Sequence, residues 1–182
     1  MKTERIVSGF ALLGVIMKFM HLPFSSPLLI LALGTLAIIY FPAGFYFLNP
    51  DMPEKPNNIL LVLLGLFLSI SAIGTLFKIM YWQGAQTNLF IGCIALPIIA
   101  GIIFKLKADA STERSIMYNS FLLRTAIWFF VVAALYTTPL ETQIHMQHWN
   151  DPELARLKTL SYTHPEDTVY RRALNEYMQK TP

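Results

Sequence analysis

Glu141, His145 and His148 fall at i, i+4 and i+7, so one helical face could present a carboxylate and two imidazoles, a donor set suited to a metal ion. The spacing lacks the fixed pattern of zinc hydrolases, and Met146 and Trp149 beside it suit a helix resting at a membrane surface. No metal and no cofactor is therefore assigned. The other groups able to do chemistry are isolated cations in apolar surroundings. Lys18 and Lys78 each lie near the end of an apolar run, where an ammonium snorkels to headgroups, caps carbonyls of the neighbouring turn, or meets an acidic partner. Arg124 lies eight residues into another run and either reaches the interface or turns inward to carbonyls, Ser69, Ser71 or Thr75. Those three polar residues, with Gly65 and Gly74, form a small-residue stripe fit for close helix packing. A glycine-rich phosphate loop and a nucleophile elbow are both absent, so the expectation is a protein that is not an enzyme.

The elements that hold these residues are set by an unusual composition. Of 182 residues, 54% are hydrophobic and 14% charged, against roughly a quarter charged in a soluble domain. All 11 Asp and Glu lie in the stretches 1–5, 49–58, 105–118 and 138–182. Lipid imposes this segregation. The net charge of +3 is too small and scattered to argue for nucleic acid. Cys93 sits alone in an apolar run as a small buried hydrophobe.

Five apolar runs, 6–20, 28–48, 59–80, 89–104 and 116–136, predict an all-α, polytopic transmembrane bundle of about five helices. No carboxylate lies within any of them. The second run carries no charge over 21 residues, enough at about 1.5 Å per residue to cross a hydrocarbon core of about 30 Å. Lys2 and Arg5 imitate the start of a secretory signal, but Lys18 interrupts the run and no small-residue cleavage site follows, so a retained helix is expected. Pro97 should kink the fourth helix. Short proline-bearing turns make neighbours antiparallel. Lys2, Arg5, Lys55, Lys105, Lys107 and Arg114 then gather on one face, opposite Lys18 and Lys78. The first face is expected to be cytoplasmic, in a bacterial inner membrane. The expected domains are a transmembrane part, 1–137, and a polar tail, 138–182, on the periplasmic side. The tail reads as two short helices, opening at Asn150 and Thr163, each a cap residue followed three positions later by Glu153 or Glu166. In the second, Val169, Leu174, Tyr177 and Met178 make an apolar stripe that must pack on the membrane, the bundle or a partner.

The chain also repeats itself. GVIMKFMHLP at 14–23 aligns with GTLFKIMYWQ at 74–83, pairing Gly14 with Gly74, Lys18 with Lys78 and Met20 with Met80. After a two-residue length change, Gly34 falls opposite Gly92. Two copies of one hairpin, about 5–48 and 58–105, with a fifth helix at about 116–136, are expected. GTLFKIMYWQGA at 74–85 resembles the sequence that ends the first membrane helix of the GldL-like gliding motility protein family, G-A-L-F-K-I-M-H-W-P-G-A. The first copy adds His21 and Pro23 at matching places, and LGTLAIIYF at 33–41 is similar to that family's L-G-T-E-A-I-I-F-F. The resemblance covers about residues 5–105. It implies a membrane hairpin of a proton-driven gliding and type IX secretion motor, partnered by a second inner-membrane protein. The family's coupling glutamate falls here on Leu36 and Ile94, so the resemblance implies the hairpin fold without that titratable group.

The leading expectation is a non-enzymatic structural or assembly subunit, with lipid and other membrane subunits, or itself, as partners. Lys18, Lys78, His21 and Arg124 are its candidate polar contacts. The alternatives are a transport or proton-motive-force-coupled subunit whose acidic residue comes from a partner, and a membrane enzyme or metal-binding protein using the His-bearing tail.

Overall fold

The computed structural model describes residues 2–41 and 58–180, which form eight helices and no strand. They are α1 (Lys2–Phe19), α2 (Ser25–Tyr40), α3 (Asn58–Ile79), α4 (Ala85–Ala108), α5 (Thr112–Thr137), α6 (Leu140–Gln147), α7 (Pro152–Thr163) and α8 (Thr168–Lys180). The chain is an all-α bundle, and α3, α4 and α5 each contain a span long and apolar enough to cross a membrane. It therefore has the character of a membrane protein.

Each helix packs against the next from α1 to α5, and α5 also reaches α3. Leu29, Leu36, Leu64, Leu68, Leu89, Leu96 and Phe121 are fully enclosed where these helices meet. In lipid such contacts act through close packing more than through expulsion of water. Gly92 shows how close: a Cβ there would stand 2.9 Å from Ser71 Oγ on α3 and 3.1 Å from Val132 on α5. Pro97 lies inside α4, which continues unbroken to Ala108.

Helix α2 departs from the reading of 28–48 as one span. It stops at Tyr40, and Phe41 is extended (φ −153°, ψ 124°). Pro42 follows, and its ring disfavours helical backbone in the residue before it. Sixteen residues give about 24 Å, less than the hydrocarbon core. The remainder of that run, with the proline-bearing loop, lies outside the described residues.

The two hairpins share the backbone geometry and hydrogen bonds of their turns. His21 (φ 55°) and Tyr81 (φ 58°) are both left-handed. Leu22 N–H donates to Met17 O at 3.0 Å and His21 N–H to Lys18 O at 3.3 Å; Trp82 and Tyr81 do the same to Phe77 O at 2.8 Å and Lys78 O at 3.2 Å. This pair of bonds closes a Schellman motif, with a bulky residue where glycine is usual. Phe24 (φ 65°) and Gly84 (φ 83°) then open α2 and α4 in matching left-handed conformations. The same register runs on through the second helix, where Leu29 and Leu89, Leu36 and Leu96, and Ile39 and Ile99 are all buried. The expected two-residue length change is therefore absent. Gly92 corresponds to Ala32, and the counterpart of Leu36 is Leu96 rather than Ile94.

The polar tail holds three helices instead of two. Asp151 caps α7, its Oδ1 accepting from Leu154 N–H at 3.0 Å, so the cap is one residue past Asn150. Thr163 ends α7, its hydroxyl turned back to Thr159 O, and α8 opens after Asp167, whose Oδ1 accepts from Val169 N–H at 2.8 Å. The carboxylates outcompete the neutral residues for free N–H groups, as the positive end of a helix favours. Tyr177 Oη donates to Asp151 Oδ1 at 2.9 Å and ties α8 to the start of α7.

Candidate functional site

Two polar clusters lie at different depths. The first joins α1, α2 and α5. Arg124, at the middle of α5, donates from Nε to both Glu4 oxygens, at 2.8 and 3.1 Å. Tyr40 Oη donates to Glu4 Oε1 at 3.0 Å, and Trp128 Nε1 donates to Tyr40 Oη at 3.0 Å. The side chains of Arg124 and Glu4 are only 12% and 15% exposed. Arg124 thus neither snorkels nor bonds Ser69, Ser71 or Thr75; Ser71 bonds Phe67 O, and Thr75 Oγ1 is buried without a partner. No carboxylate lies within the three long apolar spans, as expected, but one just ahead of the first apolar run reaches in from the side. Helix α1 begins at Lys2, so Glu4 is helical and reaches the arginine. A cation at mid-helix is costly in lipid unless it is paired, and the nearest end of the first hairpin supplies the anion.

The second cluster lies 14 residues further along α1, about 21 Å away. Here the paired lysines part company. Lys78 is buried and donates to Thr138 O at 2.9 Å, closing the carbonyl end of α5, while Gln143 of α6 donates to Lys78 O at 2.7 Å. Lys18 is half-buried and donates to Ser26 Oγ at 2.9 Å. His21 stacks on His148, ring centroids 5.0 Å apart, and Lys158 Nζ lies 2.9 Å from His148 Nε2. With the Lys158 ammonium as donor, the ring is neutral and carries its proton on Nδ1. Burial first, then Lys158, His21 and Lys18, push His148 down to about 4. Burial, then Lys18, lowers Lys158, and burial raises Tyr81, with Tyr162 beside it.

Glu141 and His145 are exposed on α6, whereas His148 follows the end of that helix and turns to Lys158. The three do not converge, and among the described residues no group of three His, Cys, Asp or Glu could hold a metal. Lys18, His21 and His148 do meet; Lys78 and Arg124 serve separate joints. Sequence reasoning missed Glu4, Tyr40 and Trp128, whose partners lie 36 to 120 positions away and carry no local spacing signal, and it missed Gln147 and Lys158, which meet Lys18 and His21 only through the packing of the tail. No protein-family model, curated protein or solved structure matches the chain.

Proposed function

We propose that this chain is a non-enzymatic structural or assembly subunit of a bacterial inner-membrane complex, crossing the bilayer about five times, with its N-terminus cytoplasmic and its helical tail periplasmic. One observation carries the reading: Glu4, Arg124, Tyr40 and Trp128, and likewise Lys78 and Gln143, join helix to helix, while Ser71 and Thr125 bond carbonyls of their own helices, and these groups do not face a shared reaction centre. The likeness of residues 74–85 to the GldL-like hairpin supports membership of a multisubunit assembly. So does α1, whose Ile6, Phe10, Leu12 and Leu13 are at least 46% exposed and offer an apolar face to lipid or to another subunit. Purification in mild detergent tests this. The expected product contains other membrane subunits in fixed ratio; a chain that always emerges alone, or only with itself, contradicts it.

A second reading, a proton-motive-force-coupled or transport subunit, is favoured by the Glu4 carboxylate. The chain carries its own acidic group against Arg124 within the bundle, so none need come from a partner. Reconstituted vesicles decide: a potential-driven proton flux lost in Glu4→Gln supports coupling, and an unchanged flux removes it.

A further inference from the structure

Between the turn of the first hairpin and the α6–α7 corner lies a cavity of about 360 Å3, lined by Lys18, His21, Tyr81, Gln147, His148 and Lys158 among others. No carboxylate lines it. Asp151, the acid that acts on His148, is engaged as the cap of α7 and by Tyr177. Two ammonium groups and two imidazoles thus share one small space, and each cation disfavours the next. Gln147 is 2% exposed, and its Nε2 has no acceptor; Tyr81 Oη is buried without a partner as well. Buried polar groups rarely go unsatisfied, so two idle hydroxyl and amide groups beside four nitrogen bases point to a missing acceptor. Gathering like charges and spare donors is unfavourable for a joint whose only role is to hold helices, and favourable where an anion accepts from all of them.

We infer that this cavity binds a phosphate-class oxyanion, with Lys18, Lys158 and Gln147 as donors and the two imidazoles completing the charge. This goes beyond the structural role proposed above and does not rest on it. The phosphoryl group could belong to a lipid headgroup or to a soluble phosphate. Phe24, Met20 and Trp149, at 80%, 64% and 72% exposure, surround the turn with apolar surface at the level a headgroup would occupy.

The test uses the full chain, stripped of lipid in neutral detergent. Inorganic phosphate at constant ionic strength against chloride is one arm, and phosphatidylglycerol against a neutral glycolipid in native mass spectrometry is the other. Stabilisation by phosphate identifies a soluble ligand; selective retention of phosphatidylglycerol without a phosphate effect identifies a headgroup. In either case Lys18→Gln with Lys158→Gln weakens binding at least about tenfold, while Lys105→Gln with Lys107→Gln, at the opposite end of α4, leaves it unchanged. If the lysine pair fails to fold, the wild-type chain still decides, because a bound oxyanion favours the imidazolium and moves the His148 midpoint upward from about 4. No response to either probe, or binding that survives the lysine substitutions, overturns the proposal.

Discussion

In the first hairpin, Glu4 and Tyr40 tie α1 and α2 to α5 through Arg124 and Trp128, Lys18 holds only a serine hydroxyl, and His21 stacks on His148 of the tail. In the second, Leu64 and Ala100 occupy the places of Glu4 and Tyr40, Lys78 is sealed under the end of α5, and Tyr81 replaces the histidine. The backbone turns are the same. Both hairpins join the bundle by apolar packing; the second also caps a neighbour, whereas the first adds an ion pair and leaves its turn lining a basic cavity. A repeated turn can therefore hold its backbone geometry while one copy is sealed under a neighbour and the other is left lining a basic cavity.

The largest expected break comes from the ion pair. Glu4→Leu gives the first hairpin the residue of the second and leaves Arg124 buried without its anion, so unfolding in detergent should lose about 3–5 kcal/mol. Adding Arg124→Leu should recover most of that loss, and a double mutant no better than Glu4→Leu would refute the pairing. Next come the glycines at the hairpin crossing. A Cβ at Gly74 would stand 3.0 Å from Asn88 Cβ and 3.2 Å from the Leu89 backbone nitrogen, while one at Gly14 would meet the movable Leu29 side chain at 3.0 and 3.1 Å. Gly74→Ala should thus cost about 1–3 kcal/mol and Gly14→Ala less, read from thermal midpoints.

Smaller effects separate the lysines. Lys78→Met strands the Thr138 carbonyl and should cost about 1–3 kcal/mol, against about 1 kcal/mol or less for Lys18→Met; equal losses would mean that the buried capping bond contributes nothing extra. The smallest concern the left-handed residues before α2 and α4. Phe24→Gly should stabilise by about 0.4–1 kcal/mol, and Gly84→Ala should destabilise by about 1 kcal/mol, because only glycine adopts positive φ without strain.

Long apolar runs made α3, α4 and α5 legible from sequence, because a helix that lipid must solvate shows itself residue by residue. The end of α2 was not, since averaged hydropathy passes over Pro42 while the backbone of Phe41 cannot. The repeat was visible through Gly74 and Lys78, yet its register beyond the turn required Leu29 and Leu89 to be seen enclosed in the same way. Glu4 sat just outside the first apolar run and so escaped notice; its role exists only because Arg124, 120 positions away, folds against it. The basic cavity was equally hidden. Lys18 and His21 could be singled out, but Lys158 and Gln147 join them only through the packing of the tail.

Spin labels at the outward-facing Ile98, Ile127 and Phe130, in protein reconstituted into bilayers, test most directly whether lipid surrounds the long helices. Relaxation by dissolved oxygen should be strong at all three and relaxation by a water-soluble nickel chelate weak. Strong nickel relaxation at these positions would place the helices in water and contradict the account.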